Sequence, residues 1–237
     1  MGIVIGTAGW TISREAAERF PAEGSSLERY SARFKGAEIN SSFHRPHRAS
    51  TWRRWADSVR QDFRFSVKLP KAISHTKRLV DCGEEVDRFL AEAGELGDKL
   101  AILLLQLPPS FAFDGGLAED FLAGLAARTP ARLACEPRHP SWFEPAADAL
   151  LDRLRVARVA ADPARVPAAA EPGGWRGLAY WRLHGSPVMY RSSYAPAALQ
   201  AYAEAMRNKD EAWCIFDNTA SSAATANALD LLDLLSE

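Results

Sequence analysis

Six side chains pose the chemical question: Glu38, Lys68, Glu136, Arg138, Arg182 and His184. Each lies in or just beyond a run of mostly apolar residues. In ARLACEPRH (131–139) the apolar residues lead into Glu136, Arg138 and His139. Alternate residues of a strand face opposite sides, so Glu136 and Arg138 share a face against Leu133 and Cys135. In FRFSVKLP (63–70), Arg64, Ser66 and Lys68 oppose Phe63, Phe65, Val67 and Leu69. In LAYWRLHG (178–185), Tyr180, Arg182 and His184 oppose Trp181 and Leu183, and Glu38 and Asn40 share a face opposite Ile39. Two carboxylates beside an imidazole divide acid and base roles. Arginine forks and a lysine point charge hold carboxylate or phosphate. Isolated buried charges are costly, so these groups must pair with one another or meet a ligand.

The elements that would position them recur along the chain. Strand-like runs fall at 3–10, 36–43, 63–70, 99–108, 131–139, 157–163, 178–185 and 211–219. Helical patterns fit 25–34, 50–59, 84–96, 116–128, 144–155, 195–208 and 223–236, with Ser25, Ser26 and Ser50 as candidate caps. SWFE (141–144) resembles a capping box, although Pro145 could equally mark the first helical turn. Alternating strands and helices at about 30 residues per repeat predict a single-domain (β/α)8 TIM-type barrel over 1–237, with parallel strands. An irregular crossover is expected over 164–177, between strands six and seven. The apolar strand faces would meet the helices, so the polar faces point inward, toward the C-terminal mouth.

Bulk properties narrow the classes. The chain has 237 residues, 29 basic and 30 acidic side chains, and a net charge of −1. No global field favours nucleic acid or a membrane surface, so nucleic-acid binding would need a local basic patch. Cys82, Cys135 and Cys214 are too few and too irregularly spaced for a disulfide framework or structural zinc. MGIVIGTAGW reads as a strand and no run reaches membrane-span length, which points to a cytoplasmic location. Oligomeric state is not legible.

IGTAGW, EINSSFHR, DFRFSVKLPKAISHTKRL, LLLQLPPSF, EPRHPSWF, YWRLHG and the late FDN occur in an order that resembles the YecE-like family, domain-of-unknown-function family 72. The resemblance spans nearly the whole chain and implies a TIM-type barrel, but no reaction. By motif it marks Trp10, Glu38, Asn40, Phe43, Lys68, His75, Gln106, Glu136, Arg138, His139, Trp142, Arg182, His184 and Asn218. The chain departs from the family pattern at His44, Pro137, Ser186 and Asp217, and in TASSAATANAL, where a Gly-rich stretch is usual.

The leading expectation is an enzyme acting on a small anionic substrate, bearing phosphate or carboxylate. Arg138, Arg182 and Lys68 would hold the anion, while Glu38, Glu136 and His184 would move protons. Alternatively, the arginines merely neutralise Glu38 and Glu136. Lys68 is open to Schiff-base chemistry, with an ion-pair role as the simpler reading. Trp10, Phe43, Trp142, Tyr190 and Tyr194 could stack on a flat ligand or simply pack, and 187–196 could cover the site. Glu38, Glu136, His184 and Asp217 include metal-ligand types, but neighbouring cations oppose a metal. No metal or cofactor is expected. A non-catalytic binding or sensor protein and a nucleic-acid-processing barrel are the other function classes.

Overall fold

In the computed structural model, which describes residues 2–236, the period-two runs form strands and the intervening patterns form helices. The strands are β1 (Ile3–Thr7), β2 (Gly36–Ile39), β3 (Arg64–Lys68), β4 (Leu100–Gln106), β5 (Arg132–Glu136), β6 (Val156–Arg158), β7 (Ala160–Asp162), β8 (Gly173–Gly174), β9 (Ala179–Leu183) and β10 (Ala212–Phe216). The α-helices are α1 (Ser26–Ser31), α2 (Ala49–Asp57), α3 (Gly83–Ala93), α4 (Gly115–Ala126), α5 (Pro145–Arg153), α6 (Pro196–Arg207) and α7 (Ala223–Ser236). Ser25 closes a capping box with Glu28 at the start of α1. Ser50 lies inside α2 rather than capping it. Pro145 opens α5 after Glu144, so SWFE is not that helix's capping box.

The ladders form two sheets, β1-β10-β9-β7 and β2-β3-β4-β5-β6-β8. Every paired strand is parallel except β6 with β8. The fold is therefore mixed α/β with parallel sheets, and hydrogen bonding does not close them into one ladder. The expected sixth strand is split: β6 pairs with β5, then the chain shifts at Val159 and β7 pairs with β9. The irregular crossover follows as a 3-10 turn at Pro167–Ala170 and the two-residue β8.

The other break lies between β1 and β2, where a tyrosine takes over from backbone pairing. Gly6 has no side chain because a Cβ there would collide with the Gly36 carbonyl. The Thr7 N–H donates to the Tyr30 hydroxyl at 2.8 Å, and that hydroxyl lies 3.3 Å from the Gly36 carbonyl. Beyond it, the Gly9 N–H donates to the Glu38 carbonyl at 2.8 Å. Tyr30→Phe should strand the Thr7 donor inside the protein and cost about 1–3 kcal/mol. Urea unfolding reads this directly; an unchanged midpoint would mean that the seam does not depend on the phenol.

Apolar residues fill two regions. One lies between strands and helices, and the other is an inner cluster that includes Val4, Ile102, Leu104, Tyr180, Trp213 and Ile215. Stepping by two toward the C-terminal strand ends, this inner face turns polar: Leu104 to Gln106, Tyr180 to Arg182 and His184, Ile215 to Asp217. No helix among the described residues is long and apolar enough to cross a membrane.

Candidate functional site

At the strand ends, fully buried Arg182 is the hub. Its Nε and Nη2 reach Glu38 at 3.0–3.2 and 2.6 Å, its Nη1 donates to Glu136, and Nη2 meets Asp217 at 3.0 Å. These three carboxylates come from the ends of β2, β5 and β10, and parallel packing places those ends together. Glu38 also accepts from the Tyr180 hydroxyl at 2.8 Å, which lies 2.9 Å from Ser66 Oγ. Arg138 donates to Glu136 Oε1 through Nε and Nη2 at 3.1 and 3.0 Å.

His184, just beyond β9, is clamped between two acids. Its Nδ1 lies 3.0 Å from Asp217 Oδ2 and its Nε2 lies 3.3 Å from Glu136 Oε1. A ring with a carboxylate at each nitrogen favours the doubly protonated form. Burial pushes the imidazole pKa down, but Glu136 and Asp217 outweigh that and raise it. Burial would raise the Glu136 carboxyl, yet Arg182, His184 and Arg138 hold it well below the usual carboxylate range. Asp217 is likewise lowered, with Arg182 and His184 overcoming burial.

Lys68 stands outside this hydrogen-bonded set. Only 9% of it is exposed, and its Nζ lies 4.1 Å from the centre of the Phe43 ring. Burial, reinforced by Arg182, lowers its pKa to about 8 against the pull of Glu136, Glu38 and Asp217. With Lys68 and His184 both protonated, the four cations Lys68, Arg138, Arg182 and His184 exceed the three carboxylates by one.

The segment after β3 brings His75 to the same aromatic ring, 5.0 Å from Phe43 and edge-on. It is a single π-turn, Ala72–Thr76, followed by Arg78, Leu79 and Asp81 at positive φ. π-turns and left-handed non-glycine residues recur at functional sites. Burial and the cations Lys68, Lys71, Arg138 and Arg78 lower the His75 pKa, favouring the neutral ring.

The remaining residues divide by position. Gln106 is beside Glu136 in the β4–β5 register, and its amide donates to the Leu107 carbonyl at 3.1 Å. Asn40 follows β2 with its Oδ1 enclosed and without a partner. Tyr190, at positive φ, sets its ring edge-on to His184 at 5.6 Å. The other four have structural contacts. Trp142 is fully buried and donates to the Phe111 carbonyl, and His139 caps the turn Pro140–Phe143. Asn218 donates to the Ser192 carbonyl and to Asn227 Oδ1, tying down the loop after β9, while its own Oδ1 is enclosed without a partner. Trp10 packs on Trp55 and Phe65.

Asp217, weighed from the sequence only as a metal-ligand type, and Tyr180 and Ser66, placed on the polar faces without a role, complete the network. Their signal was the same two-residue alternation: Trp213, Ile215 and Asp217 on one strand, Tyr180 and Arg182 on another. A cavity of about 20 Å³ lies among Glu136, Arg138, Ala161, Pro163, His184 and Met189. A larger hollow of about 340 Å³ opens beside Phe43, Lys71 and Arg88. The acid–imidazole cluster lines only the smaller one, room for about one water. Among the described residues no group of three or more His, Cys, Asp or Glu has a metal-holding arrangement.

Parallel sheets with polar C-terminal strand ends place the fold with the TIM-barrel-like proteins. A xylose isomerase-like TIM barrel/4-hydroxyphenylpyruvate dioxygenase fusion protein superposes with TM-score 0.53 at 16% identity, over 99% of this chain and 42% of that one. The chain belongs to the family described as "Protein of unknown function DUF72", whose family model matches residues 4–237. A DUF72 protein from Enterococcus faecalis V583 superposes with TM-score 0.82 at 18% identity, covering 99% of this chain and 96% of that one. UPF0759 protein YecE of Escherichia coli K12 is 30% identical over 127 residues, 50% of this chain and 43% of the relative. The match thus spans less than half the length of that curated relative.

Proposed function

We propose that this protein is an enzyme, built on a (β/α)8 barrel, that binds a small anion bearing phosphate or carboxylate and acts on it by acid–base chemistry. The observation that carries this reading is the surplus cation. Lys68 is nine-tenths buried and has no ion-pair partner among the described residues, beside carboxylates already matched by Arg182 and Arg138. An incoming anion would complete that balance.

In this reading the expected roles are redistributed. The donors of Arg182 are taken up by Glu38, Glu136 and Asp217, so it is a positioning residue. Lys68 and Arg138 would hold the anion, with His75 at its edge. Glu136 and His184 line the small cavity at the strand ends and would transfer the protons, whereas Glu38 lies below it, held by Arg182 and Tyr180. Tyr190 and the loop around it would cover the bound ligand. The free thiols Cys82, Cys135 and Cys214 suit a reducing cytoplasm.

Ligand binding to the native state raises stability, by about 2.7 kcal/mol at a hundredfold excess over Kd. Phosphate and sulfate titrations should raise the melting temperature of the wild type. The rise should be lost in Lys68→Met and reduced in Arg138→Ala. An equal rise in all three proteins would contradict an anion site at the mouth. Turnover found in a metabolite screen should disappear in Glu136→Gln; turnover that persists would rule out the acid–base assignment.

A further inference from the structure

Lys68 is a buried ionisable group at the strand ends that the network does not use. Among the described residues its amine makes no hydrogen bond, and no carboxylate lies within 4.0 Å. An ammonium removed from water needs acceptors, whereas a neutral amine tolerates an aromatic neighbour far better. Two further features lie on the neighbouring chain segments. In the β2–β3 register Ile39 pairs with Val67, so Asn40, the residue just after β2, and Lys68, the last residue of β3, each follow a paired position. Asn40 Oδ1 is an enclosed acceptor with no donor. His75, with its neutral ring favoured, meets the edge of the Phe43 ring over which the amine lies.

We infer that Lys68 is a nucleophile that condenses with the carbonyl group of a small anionic ligand, forming an imine. The ligand class is then a 2-oxo acid or a phosphorylated aldehyde or ketone. Its anionic end would be held by Arg138 and Lys71, which lie among the cations around His75. This inference rests on the anion site proposed above.

The chemistry balances without a redox partner. The amine lone pair forms the C–N bond while the carbonyl π pair moves to oxygen. That oxygen gains a proton and the nitrogen loses one, giving a carbinolamine. Protonation of its hydroxyl and departure of water leave the protonated imine, the protons being exchanged with solvent. Asn40 Oδ1 would accept a hydrogen bond from the carbinolamine hydroxyl or the iminium N–H. Burial supports the nucleophile: with its pKa near 8 rather than 10.5, Lys68 at neutral pH holds roughly 300-fold more free amine than an ordinary lysine.

The test uses the full chain at neutral pH with pyruvate, glyoxylate or glycolaldehyde phosphate and cyanoborohydride. Reduced adducts are then quantified at each lysine by peptide mapping. With at least one probe, labelling at Lys68 should exceed that at exposed Lys35 and Lys209 by roughly tenfold or more, and phosphate should suppress it. Lys68→Arg should abolish that adduct while keeping the wild-type circular dichroism spectrum. Adducts spread evenly over surface lysines, or none at Lys68 with any probe, would overturn the inference. The phosphate melting response separates the two levels: if it is present without an adduct, only the imine falls, and if both are absent the anion site falls too.

Discussion

Replacing Arg182 by Met is expected to cost about 3–5 kcal/mol of folding stability, the penalty of removing one member of a buried ion network. Glu38, Glu136 and Asp217 all lean on this one guanidinium, which is fully shielded from solvent. Without it, Glu38 loses its only cationic partner among the described residues, and Glu136 and Asp217 keep only Arg138 and His184 in a medium that screens charge poorly. Against a typical stability of about 5–15 kcal/mol, the variant would be marginally folded. Arg182→Lys should rescue only part of the loss, because a single ammonium cannot serve three acids through a planar fork. Mild acid should rescue more, by neutralising the orphaned Glu38. Urea unfolding of the two variants measures this. A loss under about 1 kcal/mol for Arg182→Met would mean that the network does not hold the strand ends together.

The second expected effect is a stability window set by His184 and its two acids. The raised folded pKa of His184 contributes stability that is complete below about 6.5, its unfolded value. That contribution is lost as pH rises through the folded value. The lowered pKa values of Glu136 and Asp217 act with the opposite sense. Their stabilisation is present above about pH 4 and lost as pH falls through their folded values. Lys68 adds a third slope: its lowered pKa penalises folding below about 8, and the penalty fades as pH climbs toward the ordinary lysine value. Comparing His184→Gln with wild type isolates the histidine. The variant should lose more stability at about pH 6 than at about pH 9, each unit of pKa shift being worth about 1.4 kcal/mol. Equal losses at both pH values would show that His184 is not held protonated by its neighbours.

Alternation made the inner face legible in advance. Knowing that Ser66 and Lys68, or Tyr180, Arg182 and His184, share a side needs only the strand period. What alternation cannot supply is who pairs with whom. Arg182 and Lys68 read alike as inward cations, yet one meets three carboxylates and the other meets a phenyl ring. That difference depends on the lateral order and register of strands far apart in sequence. Asp217 was visible as a departure from the family pattern, but its contact with His184 requires β10 to lie beside β9. The split at Val159 was hidden for a related reason: 157–163 is uniformly strand-like, and only its two neighbours reveal that it changes partners. Trp142 and Asn218 are marked by family motif, and motif does not show what a side chain touches. The Trp142 indole donates to the Phe111 carbonyl, and the Asn218 amide nitrogen serves Ser192 and Asn227 while its Oδ1 is enclosed without a partner.

The most direct measurement of the central claim is a high-resolution crystal structure of the protein soaked with sulfate. The expected result is an anion within hydrogen-bonding distance of Lys68 Nζ and Arg138, with the Glu136–His184 pair beside it and Arg182 still bound to its three carboxylates. Sulfate found only on exposed arginines such as Arg45, with water alone against Lys68 at saturating concentrations, would contradict it.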